Sequence, residues 1–229
     1  MSNFIVEKNP KSPISESYRT LRTNIQFSSF DKDIKTIVVT SSAPGEGKST
    51  TVGNLALVMA QSGKRVLLID ADLRKPTVHK KFKLSNQTGL TNILIEDKNP
   101  FEVIQKYSDN LYILTSGILP PNPAEVVASN KLRNFINEMK NHFDYILLNS
   151  PPVIAVTDAQ ILSSFLDGVI LVVSSGEAEK ELVKKSKDLL DKVNANIIGV
   201  VLNKLELKSR KGYGYYYYYY GEEGSAKKW

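Results

Sequence analysis

The chain has 229 residues, 41% of them hydrophobic, which suffices for one domain with a sizeable core. It contains no cysteine, which excludes disulfide and thiol chemistry, and its apolar runs are too short to cross a bilayer. Its 30 basic and 24 acidic residues give a net charge of +6, but no basic helix stands out, so nucleic-acid binding is not expected. The N-terminus lacks a signal-peptide core, which fits a cytoplasmic protein.

Short apolar runs alternate with helical patterns along the chain. A first helix is predicted over Pro13–Phe27. Strands are predicted at Thr36–Thr40, Arg65–Asp70, Asn110–Leu114, Asp144–Asn149, Gly168–Val173 and Asn196–Asn203, and further helices at Lys48–Ser62, Leu90–Ile95, Pro123–Lys140, Asp158–Leu166 and Glu177–Val193. This alternation predicts an α/β fold with a mostly parallel sheet flanked by helices on both faces. We expect one domain over residues 1–207 and a tail over 208–229.

A glycine-rich loop follows the first predicted strand and opens the next helix. Ser-Ser-Ala-Pro-Gly-Glu-Gly-Lys-Ser-Thr at 41–50 has the layout of a P-loop, although Ser42 replaces its first glycine. Backbone N–H groups of such a loop face phosphates, a lysine reaches the β- and γ-phosphates, and a hydroxyl ligates Mg²⁺. The sequence therefore predicts binding of a nucleoside triphosphate with Mg²⁺ by Gly45, Glu46, Gly47, Lys48, Ser49 and Thr50.

Two aspartates close the second predicted strand. In extended chain, Asp70 and Asp72 point to the same side. Two carboxylates beside a P-loop can hold Mg²⁺ or its waters, or accept a proton from an attacking hydroxyl. Taken alone, Asp70 could also be interpreted as an ordinary turn residue at the end of a strand. We predict that both aspartates serve metal binding and catalysis with Lys48 and Ser49, and that Arg74 contacts a phosphate or a carboxylate.

A third strand end carries an amide where a P-loop enzyme usually has an aspartate. Asn149 ends the apolar run at 145–149. An amide can hydrogen-bond a metal-bound water but brings no negative charge, so metal binding or phosphoryl transfer should be weakened. The sequence leaves open whether Asn149 is natural or replaces an aspartate.

The last predicted strand ends in Asn203-Lys204. Enzymes that bind guanine use Asn-Lys-x-Asp, and here the fourth residue is Glu206, which favours ATP. Asn203 is predicted to bind the adenine edge, although a turn residue is the plain alternative.

The tail contains seven tyrosines within eight positions, 213–220. No strand or helix period explains such a run, and the tail is predicted to be flexible. A sticky low-complexity tail or a stacking platform are alternatives. Beside an ATP site, phosphate acceptors are the leading interpretation, namely Tyr213, Tyr215, Tyr216, Tyr217, Tyr218, Tyr219 and Tyr220.

Over nearly its whole length the chain resembles the bacterial tyrosine kinases of capsule and exopolysaccharide assembly, especially the capsular CapB type. The resemblance rests on Ala43–Thr50, Ile69–Pro76, Pro120–Glu125, Leu148–Pro152 and the tyrosine tail. Glu16, Arg19 and Arg22 match a motif that packs subunits into a ring in relatives. Without the resemblance, that stripe would be interpreted as a solvated helix face.

The resemblance implies ATP-dependent autophosphorylation in trans, with one subunit's tail entering its neighbour's site. It also implies a homo-oligomer, a transmembrane adaptor that holds the kinase at the inner face of the membrane, and protein substrates in polysaccharide synthesis. Asn149 departs from the family's aspartate and puts catalytic competence in doubt, but not ATP binding.

Two alternatives are kept. One is a ParA/MinD-like switch ATPase, although those proteins carry a lysine where this chain has Ala43, and they lack a tyrosine run. The other is a nucleotide-binding scaffold with little turnover.

Overall fold

The computed structural model describes residues 3–28 and 33–206. The predicted tail and its tyrosines lie outside the described residues. The helices are α1 (Ile5–Lys8), α2 (Pro13–Ser28), α3 (Lys48–Gln61), α4 (Val78–Phe82), α5 (Leu90–Glu96), α6 (Pro100–Val103), α7 (Pro123–Ala128), α8 (Asn130–Met139), α9 (Asp158–Ser163) and α10 (Lys180–Asp191). The strands are β1 (Thr36–Ser41), β2 (Val66–Asp70), β3 (Gln105–Lys106), β4 (Leu111–Leu114), β5 (Tyr145–Asn149), β6 (Gly168–Ser174) and β7 (Ile197–Asn203).

The seven strands form one sheet in the order β3-β4-β2-β5-β1-β6-β7. All neighbouring pairs are parallel except β3–β4. The predicted α/β fold with a mostly parallel sheet is therefore confirmed, while the short antiparallel edge strand β3 was not predicted. Since parallel strands end at one edge of a sheet, the ends of β1, β2 and β5 meet there.

Both faces of the central strands are buried, because alternate residues enter two separate cores. Val38, Ile69 and Leu148 pack in one core cluster, while Val39 and Leu68 pack in the other. Each fully buried side chain of this kind contributes about 1.5–3 kcal/mol of burial free energy. Two packed faces explain why these strands are apolar at nearly every position.

The first predicted helix forms as α2 and packs with α1 and α3. The short α1 was not predicted. Beside it, the Phe4 ring lies so close to α3 that a Cβ on Gly53 would stand 2.3 Å from Phe4 Cε1. Gly53 therefore permits the close approach of the N-terminal segment to the P-loop helix.

The prediction of one helix over Pro123–Lys140 is wrong, because the chain breaks at Ser129. Ser129 is extended, with φ −65° and ψ 146°, and its Oγ accepts a hydrogen bond from Leu132 N at 3.2 Å. This side chain caps α8, so the segment forms two helices, α7 and α8.

The helix predicted over Glu177–Val193 is shorter than expected. Its start moves to Lys180, because Gly176 turns with a φ of +74° and Glu179 is still extended. None of the helices within residues 3–28 and 33–206 is long and apolar enough to cross a membrane.

Candidate active site

The P-loop joins β1 to α3 at the carboxyl edge of the sheet. Gly45 and Gly47 have φ angles of +83° and +96°, which side chains with a Cβ rarely adopt. Gly47 also caps the N-terminus of α3, where backbone N–H groups and the helix dipole favour an anion. The predicted loop thus has the backbone geometry that phosphate binding requires.

Glu46 has a role that the sequence did not suggest. Its nearly buried carboxylate accepts hydrogen bonds from Ser42 Oγ at 2.8 and 2.9 Å and from Ala43 N at 2.9 Å. The side chain therefore stabilises the start of the loop, and Ser42, which replaces the usual glycine, provides the hydroxyl. Any contact of Glu46 with phosphate would come from its backbone N–H.

Asn203 reaches the same loop from the end of β7. Its Nδ2 donates to Glu46 O at 2.8 Å, and a Cβ on Gly47 would stand 2.0 Å from that nitrogen. Gly47 is thus required both for its φ angle and for this close contact. Binding of adenine by Asn203 remains a prediction.

Asp70 is completely buried at the end of β2, and both its oxygens are engaged. Oδ2 accepts hydrogen bonds from Thr77 N and Val78 N, each at 2.9 Å, at the start of α4. Oδ1 accepts from Asn149 Nδ2 at 2.8 Å. Asp70 thereby fixes the loop after β2 against the neighbouring strand β5.

Burial changes the acidity of Asp70. Removal from water raises the pKa of its carboxyl to about 6, although the hydrogen bonds from Asn149, Val78 and Thr77 oppose the shift. The negative charge of nearby Asp72 raises the pKa further. A bound cation would favour the charged form of Asp70, since it would compensate the lost hydration.

Asp72 lies across the site from the P-loop lysine. One carboxylate oxygen, Oδ1, accepts from Arg74 N at 3.3 Å and Lys75 N at 2.9 Å. The other oxygen, Oδ2, lies 3.9 Å from Lys48 Nζ. The loop thus holds Asp72 by one oxygen and leaves the second directed at Lys48.

Asn149 lies between β1 and β2, in register with Val39 and Asp70. Its Nδ2 donates to Asp70, but its Oδ1 is buried and has no hydrogen-bond partner in the part of the chain that the structure describes. A buried acceptor without a partner is costly, and a metal-bound water would satisfy it.

Thr77 belongs to the site but was not singled out from the sequence. Its Oγ1 donates to Ser49 Oγ at 2.8 Å, and its N–H bonds Asp70. Thr77 therefore links the predicted metal-binding hydroxyl of Ser49 to the predicted metal-binding carboxylate. Its position directly after the Asp-Ala-Asp-Leu-Arg-Lys-Pro segment could have indicated that it belongs to the site.

Lys81 was also missed. Its Nζ donates to Thr50 Oγ1 at 2.9 Å, behind the P-loop, and partial burial lowers the pKa of its amine. The hydroxyl of Thr50 is thus bound within the chain, and its predicted contact with nucleotide rests on its backbone.

Arg74 contacts a carboxylate, one of the two partners predicted for it. Its Nε and Nη2 donate to Asp158 Oδ2 and Oδ1 at 2.9 and 3.0 Å, and this bond raises the pKa of the guanidinium. Asp158 is fully buried at the start of α9, so the pair joins the loop that carries Asp72 to this helix.

The predicted subunit-contact residues lie along α2. Arg19 Nη1 pairs with Glu16 at 2.8 Å, and Arg22 Nη1 donates to Val58 O of α3 at 3.2 Å. Arg22 Nε is buried without a hydrogen-bond partner among the described residues. These contacts lie within one chain, so assembly through Glu16, Arg19 and Arg22 stays a prediction.

The donor set fits Mg²⁺ together with a nucleotide. No cluster of three His, Cys, Asp or Glu side chains that could hold a metal occurs in residues 3–28 and 33–206. Mg²⁺ is commonly bound by one or two carboxylates with substrate phosphates and waters, rather than by a cage of protein ligands. Asp70, Asp72, the Ser49 hydroxyl and the Asn149 amide match that chemistry.

Comparison with known proteins gives consistent matches. The family model described as "ParA: NUBPL iron-transfer P-loop NTPase" matches residues 33–228. The chain is 47% identical to tyrosine-protein kinase YwqD of Bacillus subtilis over 93% of this chain and 90% of that protein. It is 41% identical to the putative tyrosine-protein kinase CapB of Staphylococcus aureus over 94% of this chain and 95% of that protein.

Solved structures agree with these relatives. The chimerical protein CapA2B2 matches with a TM-score of 0.85 and 42% identity, over 90% of this chain and 91% of that one. A septum site-determining protein MinD from Pyrococcus horikoshii matches with a TM-score of 0.64 and 24% identity over 77% of this chain and 72% of that one, which shows a shared fold alone.

Proposed function

The chain belongs to the bacterial tyrosine kinases, within the ParA-type P-loop NTPases, and from this membership we propose an ATP-dependent protein-tyrosine autokinase. Its acceptors are Tyr213 and Tyr215–Tyr220, phosphorylated in trans, and its role is the control of capsular or exopolysaccharide synthesis and export. The observation that carries the proposal is the placement of Asp72 Oδ2 3.9 Å from Lys48 Nζ, at the mouth of a P-loop.

ATP binding is assigned to the P-loop. The N–H groups of residues 45–50 and the N-terminus of α3 cradle the phosphates, and the Lys48 ammonium contacts the β- and γ-phosphates. Ser49, Asp70 and Asp72 would hold Mg²⁺ or its bound waters, and the ion would neutralise the charge that develops on the phosphates. Asn203 binds the adenine edge.

Asp72 is the proposed general base. Its Oδ2 is directed at Lys48 and accepts neither of the two backbone hydrogen bonds that hold Oδ1, so it can accept the proton of the attacking tyrosine hydroxyl. Asp70 is less suited to that task, because its two oxygens already accept four hydrogen bonds. Asp70 instead orders the loop that carries Asp72.

Asn149 is proposed to keep the site competent while lowering its activity. Its Oδ1, which has no hydrogen-bond partner in the described part of the chain, would accept a hydrogen bond from a water of the ion, but the amide contributes no charge to hold the cation. The chain should therefore bind Mg²⁺ more weakly than a relative with aspartate at this position.

Assembly follows the family. We propose a homo-oligomer, with a ring as the expected form, that contacts its neighbours through Glu16, Arg19 and Arg22 of α2. A transmembrane adaptor of capsule assembly would hold it at the cytoplasmic face of the membrane. Further proteins of polysaccharide synthesis would be its substrates.

Two other functions deserve a test. A ParA/MinD-like switch shares the fold, and a scaffold with little turnover is favoured by the missing charge at Asn149. The iron-transfer activity named by the family model lacks support here, because the chain has no cysteine to supply thiolate ligands for an iron–sulfur cluster.

Intact mass after incubation with ATP and Mg²⁺ tests the kinase. We expect stepwise addition of phosphates that map to Tyr213–Tyr220, and their loss in Lys48→Met. Lys64→Met, a change of an exposed lysine outside the site, is the matched control and should keep the wild-type pattern. A fully active Lys48→Met protein would contradict the site assignment. If the protein binds ATP but gains no phosphate, even with an adaptor peptide present, the result would support the switch or the scaffold.

A further inference from the structure

A groove of about 860 Å³ lies between the edge strand β7 and helix α10. Its apolar part includes Val173, Val183, Val200 and Leu202, and no residue of the P-loop lines it. Val200 and Leu202 are 61% and 55% exposed. They are two residues apart in a strand and therefore lie on one face, so the edge presents a continuous apolar surface to solvent.

One rim of this groove is basic. Lys180, Lys184 and Lys187 of α10 are spaced four and three residues apart, which places them along one side of the helix. Lys187 pairs with Asp191, whereas Lys180 and Lys184 have no ion-pair partner within the described part of the chain. The groove thus combines an apolar floor with two ammonium groups that are available to an anion.

The tail of the chain has the matching chemistry, and in sequence it follows β7, which lines this groove with Val200 and Leu202. β7 ends at Asn203, Glu206 is the last described residue, and residues 207–229 follow. We infer that the groove binds this chain's own residues 213–220 once their tyrosines are phosphorylated, an inference that rests on the proposed function. Phenol rings match the apolar floor, and each phosphate brings close to two negative charges for Lys180 and Lys184.

The connection is long enough for this arrangement. Residues 207–212 separate Glu206 from Tyr213 and can span about 20 Å, which suffices to reverse direction beside β7. The eight residues 213–220, if extended, cover about 26 Å, similar to the length of β7. A short tether gives an effective concentration of order millimolar, so a weak intrinsic affinity is sufficient.

The consequence is a groove that distinguishes the product from the reactant. An unphosphorylated tail lacks the charge that Lys180 and Lys184 bind, and it stays available to a neighbouring subunit. A phosphorylated tail is retained on its own subunit and withdrawn from neighbouring active sites. The groove would thereby limit repeated use of a tail that has already been modified.

A synthetic peptide tests the inference without requiring kinase activity. The peptide covers residues 212–221 with phosphate on Tyr215, Tyr217 and Tyr219, and it is titrated by calorimetry against the phosphatase-treated full chain. We expect a micromolar Kd, at least about tenfold tighter than that of the unphosphorylated peptide. Lys180→Ala/Lys184→Ala should weaken binding about tenfold. The control Lys185→Ala/Lys192→Ala changes one lysine of α10 and the lysine directly after its end, both outside the groove, and should leave the Kd within about twofold.

Three results would overturn the inference. The first is no binding at about millimolar peptide, or equal binding by both lysine variants. The second is that a non-hydrolysable ATP analogue displaces the peptide while the groove variants leave its Kd unchanged. This result would place the peptide in the active site. The third is self-association of the protein that Val200→Ser abolishes but that the phosphopeptide does not reduce. This result would assign the groove to a second copy of the chain. Binding in the groove by a chain without kinase activity would contradict the proposed function and support this inference.

Discussion

At the carboxyl ends of β2 and β5, Asp70 and Asn149 are fully buried, whereas on the edge strand β7 the apolar Val200 and Leu202 are more than half exposed. The centre of the sheet hides polar groups and the edge displays apolar ones, which reverses the usual distribution. At the centre, hydrogen bonds compensate the burial of the Asp70 carboxylate and of Asn149 Nδ2, while Asn149 Oδ1 has no hydrogen-bond partner among the described residues. At the edge, no further strand follows β7 within residues 3–28 and 33–206, so the surface is available to a partner.

This contrast predicts that single polar changes at the centre affect chemistry strongly. Asp72→Asn removes the proposed base and should lower the rate of tail phosphorylation about 100- to 10,000-fold, with ATP still bound. Quantitative mass spectrometry gives the rate and calorimetry the ATP affinity. Asp188→Asn, an exposed change on α10, is the control. A rate near that of the unmodified protein would remove Asp72 from the mechanism.

The same contrast predicts unequal effects on stability. Leu148→Ala empties part of the core beside Asn149 and should lower the free energy of unfolding by about 2–5 kcal/mol. Leu202→Ala deletes the same atoms at the edge and should cost less than about 1 kcal/mol. Urea unfolding without nucleotide measures both. Similar losses for the two variants would mean that the edge is packed as tightly as the centre.

The buried carboxyl at the centre should make stability depend on pH. The pKa of Asp70 is raised to about 6 in the folded chain from its ordinary value of 3.8, so the folded state binds the proton more tightly than the unfolded state. Its contribution to stability is complete below the unfolded pKa and is lost as the pH rises through the folded pKa, with a size of up to about 3 kcal/mol.

Asp70→Asn should remove that loss and flatten the profile between about pH 4 and 7. Urea midpoints across this range, measured without Mg²⁺, test the expectation. The exposed Asp109→Asn provides the matched control, since it should leave the shape of the profile unchanged. If stability depends on pH as steeply in the Asp70 variant as in the wild type, the titrating group is a different residue.

The smallest expected effect concerns Asn149. In Asn149→Asp a carboxylate would replace the amide that lies 2.8 Å from Asp70 Oδ1, and two carboxylates so close need a cation between them. We expect tighter Mg²⁺ binding, a several-fold faster autophosphorylation and lower stability without Mg²⁺. Magnesium titrations of rate and of melting temperature test this. The exposed Asn130→Asp adds the same charge as a control, and an unchanged rate at position 149 would show that the amide suffices.

Much of the site could be predicted from the sequence, because its backbone rules are local. Glycines at 45 and 47, followed by Lys48 and Ser49, specify a P-loop by themselves, since only a few neighbouring residues determine its φ angles and its helix start. The position of Asp70 and Asp72 beside the P-loop could be predicted because a buried strand that ends in acids points to one edge of a parallel sheet, while their roles stay predictions. The apolar runs identified the central strands because strands buried on both faces are apolar at nearly every position.

The remaining features depend on residues that are distant in the chain. The bond between Asn149 and Asp70, the pair formed by Arg74 and Asp158, and the contact of Asn203 with the P-loop each join residues more than 70 positions apart. The order of the strands brings these residues together, and no local pattern encodes that order. The same holds for the groove, because whether an apolar strand is covered or exposed is decided by its position in the sheet and not by its own residues.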